Sequence, residues 1–216
     1  MEATQYQKAQ RMMMIKNSQG NKLDESKEKV VIIHHGDDER DDAKQVGGTQ
    51  PTKLTDKGVS DTHKASAKIT KEGVTKVYTS PVERAMQTAQ IIQSKNKIPV
   101  EIHNGLGAWK IGNFDGMPRE DFEKAQKYFV DNPNNLEYPK MQDFKLKESF
   151  NDFKNRNVGA YNEIVDKGEK GVGILTHSKN IKIWNALDKN GTWNDDAKKE
   201  FTDPENKIKS AEVDSK

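Results

Sequence analysis

The chain contains no cysteine, which excludes a disulfide framework, a thiolate metal site and a cysteine nucleophile. Long apolar runs are missing too. The longest near the amino terminus, Met12-Met13-Met14-Ile15, is too short for a signal peptide core or a membrane span. Nor does charge of one sign prevail: 36 basic residues face 34 acidic ones, in both signs along the chain. That balance leaves no electrostatic footprint for nucleic acid or an anionic membrane. Together these absences predict a cytoplasmic protein of a reducing compartment, with neither nucleic acid nor membrane as partner.

Hydrophobic residues make up 32% and charged residues another 32%, so a core forms only if the apolar residues are concentrated. They are, between residues 30 and 187. Residues 1–29 read as a polar extension with a linker at Asn17-Ser18-Gln19-Gly20-Asn21 and a short helix over 5–16 bearing a methionine face. That helix is a candidate docking segment for a protein partner. Residues 188–216 read as a polar segment in which Ile208 and Val213 mark at most one edge strand.

Between these ends, strand-like and helix-like runs alternate. Val30-Val31-Ile32-Ile33-His34-His35-Gly36 is a buried strand delivering imidazoles to its carboxyl end, and Gly171–Thr176 is a second such run closed by His177. Val74–Thr79 and Ile98–Ile102 supply two more strands. Ser80-Pro81-Val82-Glu83 predicts a helix start with a serine cap, a first-turn proline and a capping-box glutamate. Residues 119–167 read as helical with an irregular segment near Asn132–Pro139, and another helix spans 178–187. The order predicts an α/β fold: three layers, a mainly parallel sheet flanked by helices on both faces.

A parallel sheet places its ligand crevice at the carboxyl ends of its strands. Three such ends carry His35, Arg84 just inside the following helix, and His177. A neutral imidazole is a competent nucleophile toward phosphorus, and a second imidazole can hydrogen-bond the same group. Arginine offers a planar fork for phosphate oxygens, and a helix amino terminus suits an anion. This set describes phosphoryl transfer through a phosphohistidine.

The motifs resemble the histidine phosphatase superfamily, in its phosphoglycerate-mutase-like branch. His34-His35-Gly36 stands where that family has arginine-histidine-glycine, and Leu54-Thr55-Asp56-Lys57-Gly58 resembles its leucine-threonine-x-x-glycine helix start. Tyr78–Ala89 is similar to the serine-proline-x-x-arginine segment, Glu148–Arg156 to the glutamate-serine helix, and Leu175-Thr176-His177-Ser178 to the second histidine motif. The resemblance runs from Val30 to Leu187 in the family's order. It implies His35 as the nucleophile, with Arg84 and His177 holding phosphoryl oxygens, residues 119–167 as a helical insertion over the active-site crevice, no cofactor, and a small phosphorylated substrate. His63 and His103 fit no motif and read as ordinary surface residues.

Two positions depart from the pattern. His34 replaces the first arginine and cannot offer a bidentate fork, so phosphate binding should weaken at neutral pH and strengthen on mild acidification as His34 gains a proton. Ala108, within Leu106–Gly116, falls where the family places its general acid. Asp37, Asp38 or Asp41 could substitute, Asp41 lying near a position where the family often has asparagine. The alternatives are a solvated acidic loop, or a metal ligand set of His34 with these carboxylates. The functional expectation is therefore a phosphomonoester phosphatase. Its rival is a degenerate member retaining the fold as a phosphate-binding or protein-interaction module.

Overall fold

The first strand is apolar on both sides because it lies between two cores. In the computed structural model, which describes residues 30–215, Val30 and Ile32 join one cluster with Trp109, Phe122 and Phe153. Val31 and Ile33 join another with Ile69, Ala85, Ile92 and Val213. A strand buried at every position is what a sheet covered on both faces demands.

The sheet has five strands: β1 (Val30–His34), β2 (Lys76–Thr79), β3 (Val100–Ile102), β4 (Val172–Thr176) and β5 (Val213–Ser215). Their spatial order is β3-β2-β4-β1-β5. The first four are parallel, and β5 runs antiparallel along the outer edge of β1. The helices are α1 (Glu39–Asp42), α2 (Asp56–Lys71), α3 (Glu83–Asn96), α4 (Arg119–Asp131), α5 (Phe150–Asp166), α6 (Ser178–Asn190) and α7 (Asp195–Thr202). Ile69 of α2 and Ala85, Ala89 and Ile92 of α3 cover one face. Aromatic side chains from α4, α5, α6 and α7 cover the other. The expected α/β architecture is present.

Register positions the site. His34 pairs with Thr176 and Thr79 with Leu175, so β1, β4 and β2 finish together with β4 between the other two. The residues that follow, His35, His177 and Ser80, therefore emerge side by side. Gly36 and Gly58 let the first loop close tightly behind them. A Cβ on Gly36 would lie 2.7 Å from the Gly58 carbonyl oxygen, and one on Gly58 would lie 2.1 Å from that of Asp37. Only glycine tolerates such approach.

Several local expectations need correction. The predicted capping box at Ser80 does not form: α3 begins at Glu83, and its cap residue Val82 has no side-chain cap. Ser80 Oγ instead accepts from the Val82 N–H at 3.2 Å and pairs with His177 at 2.7 Å. The serine belongs to the strand end, where the histidine competes for its hydroxyl. Beyond Leu187 the expected fading polar tail contains α7, whose Ala197 and Phe201 are buried. Two apolar residues four apart make too faint a stripe to stand out among charges. Val213 does mark an edge strand, but Ile208 lies in the preceding loop. His103 is half-buried and caps a short turn through Gly105, whereas His63 is exposed. The methionine-faced helix expected within residues 5–16 lies outside the described residues. Among the described residues no helix is long and apolar enough to cross a membrane.

Candidate active site

His35, Arg84 and His177 meet at the strand ends, all three buried. His35 Nδ1 lies 2.8 Å from the Gly36 carbonyl oxygen, so it carries the proton and donates. Its Nε2 keeps the lone pair and accepts from Arg84 Nε at 3.0 Å. Arg84 Nη2 donates to the Gly48 carbonyl at 3.1 Å and to His177 Nδ1 at 3.0 Å. The His177 proton therefore resides on Nε2 and points to Ser80 Oγ. One guanidinium thus spans both imidazoles, whose ring centres are 5.1 Å apart. Arg84 Nη1 is buried without a partner, an unused donor.

Electrostatics keep these rings neutral. Burial, then the His34 and Arg84 charges, hold the His35 imidazole well below its usual pKa; burial, then Arg84 and His35, do the same to His177. The stability consequence has a definite sign. Below pH 6.5, the ordinary value, the unfolded chain takes up protons that the folded rings refuse. The folded state is thus favoured above pH 6.5 and loses that advantage as pH falls. Denaturant unfolding on either side of pH 6.5 should show the unfolding constant rising about tenfold per pH unit for each such ring. A flat stability profile would contradict buried neutral imidazoles.

His34 lines the same cleft, where the resemblance has arginine. Its Nδ1 donates to the Lys209 carbonyl at 3.0 Å, and its Nε2 is buried and unpartnered. Burial lowers its pKa against the opposing pull of the Lys209 carbonyl and Asp41. Protonation therefore moves to more acid pH than the mild range expected from sequence.

The three candidate carboxylates have distinct surroundings. Asp38 Oδ1 caps α1 by accepting from the Arg40 and Asp41 N–H groups. Asp38 Oδ2 accepts from the Thr52 hydroxyl at 2.9 Å and lies 3.2 Å from Arg84 Nε. Asp41 pairs with Arg119 at 2.9 Å. Burial raises the Asp37 carboxyl, but hydrogen bonds from Lys57 and Ser210 outweigh it and leave it below the usual range. Asp37 is therefore charged at neutral pH and poorly suited to donate a proton. For a metal, the donors that cluster are His35, Asp38 and Asp41, within 4.8 Å of one another, rather than the His34 set expected. Arg84 already serves His35 and Asp38, and Arg119 serves Asp41, so the cations these groups face are guanidinium.

Ala108 stands in the cleft wall on a rigid segment. Arg156 donates to the carbonyls of Gly105, Gly107 and Ala108 at 2.8, 3.1 and 3.2 Å, while Glu148 holds its guanidinium through both oxygens. Asn180 and Thr176 grip the Leu106 carbonyl from the other side. The Glu148–Arg156 motif thus fixes the backbone around Ala108, whose side chain is only a methyl group. Sequence reading did not assign Ser80 to His177, nor the Gly48 carbonyl to Arg84. Backbone acceptors leave no residue-type signal, and the serine looked like a helix cap.

Beyond the histidines the cleft opens to about 420 Å³, walled by α4, α6 and the loop leading to β5.

The sequence profile of the histidine phosphatase superfamily (branch 1) matches residues 30–190. Phosphoglycerate mutase-like protein 4 of Arabidopsis thaliana is 27% identical over 161 residues, covering 71% of this chain and 67% of that protein. The 2,3-bisphosphoglycerate-dependent phosphoglycerate mutase 2 of Bacteroides thetaiotaomicron is 30% identical over 105 residues, 46% of this chain and 42% of that one. Among solved structures, phosphoserine phosphatase from Entamoeba histolytica superposes with a TM-score of 0.67 at 19% identity, covering 87% of this chain and 89% of that one. Bacillus stearothermophilus YhfR gives 0.67 at 22% identity, covering 86% and 88%. At such identities the structural likenesses speak for the fold, and the profile match supplies the lineage. The chain belongs to branch 1 of the histidine phosphatase superfamily.

Proposed function

We propose that the protein is a phosphatase that hydrolyses a small phosphomonoester through a phosphohistidine on His35. The observation that carries this reading is Arg84 held at 3.0 Å from both His35 Nε2 and His177 Nδ1. His35 Nε2 attacks phosphorus, the bond to the ester oxygen breaks, and the leaving alkoxide takes a proton from water or a nearby group. Water then attacks the phosphohistidine, releasing phosphate and restoring Nε2. Arg84 and His177 hold the equatorial oxygens, where charge builds in the transition state. The His35–Gly36 bond fixes the productive tautomer. The walls of α4, α6 and the loop leading to β5 favour a small molecule over a protein surface.

With Ala108 at the acid position, leaving groups that depart unprotonated are favoured. A missing general acid typically costs ~10²–10⁴ in rate for the others. A panel of phosphomonoesters, including aryl phosphates, tests the proposal. Turnover should fall to background in His35→Ala, and denatured enzyme should carry an acid-labile phosphoryl group. Activity that survives His35→Ala sinks the reading.

A second reading rests on Asp38. Its carboxylate sits against Arg84, and Asp41 lies in the same cleft, so negative charge faces an incoming phosphate. That charge opposes the build-up of negative charge on a transferring phosphoryl group more than it opposes docking held by Arg84, which favours a phosphate-binding or protein-interaction module that turns nothing over. No turnover on the panel, with phosphate binding retained, would support it.

A further inference from the structure

Two buried atoms in the cleft have opposite needs and no partner among the described residues. His34 closes β1 on the sheet face that carries Val30 and Ile32, because side chains two apart on a strand share a face. Its imidazole stands in the cleft beside the His35 ring, with 4.3 Å between ring centres. His34 Nδ1 lies 3.0 Å from the Lys209 carbonyl oxygen. A carbonyl only accepts, so Nδ1 carries the proton and Nε2 is left with a lone pair. That nitrogen is buried and unpaired, and so is Arg84 Nη1, which can only donate. Each is unfavourable to leave without a partner.

The surroundings keep His34 an acceptor. Burial, with Arg84 of α3, outweighs the pull of the Lys209 carbonyl, Asp41 of α1 and Glu212 before β5, and holds its pKa below the usual value. His35 beside it and His177 after β4 are held neutral as well. A fully ionised phosphoryl group has only acceptors to offer, so it can satisfy Arg84 Nη1 and not His34 Nε2. Its second negative charge would also be poorly offset. The guanidinium that touches both His35 and His177 already faces Asp38 at 3.2 Å, and Arg119 already faces Asp41 at 2.9 Å. A tetrahedral group that keeps one proton meets both needs at once.

We propose that His34 makes this site selective for the monoanion of a phosphoryl group, whose P–OH donates to His34 Nε2 while a charged oxygen accepts from Arg84 Nη1. This rests on the phosphomonoester reading above and deepens it by fixing the protonation state of the substrate. A phosphomonoester loses its second proton at about pH 6, so affinity should fall about tenfold for each pH unit above that. The ligand also carries one proton into a cleft where Ala108 has none to give.

Two anions of one shape test this without requiring turnover. In mildly acid solution ethylphosphonate is a monoanion with one P–OH, whereas ethanesulfonate has the same charge and no proton to donate. Calorimetry should find ethylphosphonate bound at least about tenfold more tightly, the scale of leaving a buried acceptor unpaired. That ratio should fall toward one in His34→Met and persist in part in His34→Gln, whose amide oxygen still accepts. Nitrogen NMR of isotope-labelled histidine in the ethylphosphonate complex should show His34 protonated on Nδ1 and bare on Nε2. A ratio near one in the unsubstituted protein overturns the proposal, as does a ratio that both variants leave intact. A His34 imidazolium in the complex overturns it too. Clear discrimination without turnover of any phosphomonoester would sink the hydrolase reading and leave the selectivity standing. Turnover by protein that binds both probes equally would sink the selectivity alone.

Discussion

Arg84→Met is expected to lower kcat/KM by ~10²–10³-fold, the scale for removing a preorganised donor from a site of developing negative charge. The same substitution should destabilise the fold by about 3–5 kcal/mol, because a buried charge loses its partner. Arg84 lies 3.2 Å from Asp38, and both side chains are 3% exposed. Methionine preserves much of the stem's volume, so the loss isolates the guanidinium. Adding Asp38→Asn should recover most of the stability and none of the activity, since the amide needs no cation while His35 and His177 still lack their bridge. Unfolding curves and a phosphatase assay on the two variants separate the effects. Catalysis within tenfold of the parent in Arg84→Met would place phosphoryl binding elsewhere.

Trp109→Ala should cost about 3–5 kcal/mol in denaturant unfolding, the range for emptying a buried aromatic site. Trp109 stacks on Phe153 with ring centres 5.5 Å apart and an interplanar angle of 7°. Its edges meet Phe122, Phe129 and Phe150, and its Nε1–H donates to the Glu148 carbonyl at 2.9 Å. Alanine would leave both a cavity and an unpaired carbonyl. The residue also lines the cleft beside Ala108, so phosphate affinity should weaken as well. A loss below about 1 kcal/mol would mean that the four phenylalanines collapse into the gap.

The parts of this molecule that could be read in advance are those in which residue type and period carry the information. Continuous apolar runs at β1 and β4 announced strands covered on both faces. Parallel register then made the three strand ends neighbours, which is why His35, Arg84 and His177 could be grouped before their distances were known. Contacts set by loops were hidden. Nothing in the run Asp37-Asp38-Glu39 distinguishes the carboxylate that caps α1 and faces Arg84 from the one that meets Lys57. Ser80 resembled a cap because serine before proline usually is one, until a buried imidazole took its hydroxyl. Lys179 was invisible for a similar reason: a lysine in a helix's first turn reads as surface until Phe122 of a second helix lies against it. The helix at Asp195–Thr202 escaped because its buried stripe consists of Ala197 and Phe201.

The edge strand β5 has a consequence for the order in which the molecule is built. His34 donates its backbone N–H to Glu212 and its ring N–H to Lys209, while the His35 carbonyl accepts from Ala211. The signature residues near the start of the fold are therefore held by a segment made some 180 residues later, and closing so long a loop is entropically late. On the ribosome the cleft must stay one-sided until Val213 has emerged, so a nascent chain could bury its aromatic core well before it could grip a phosphate.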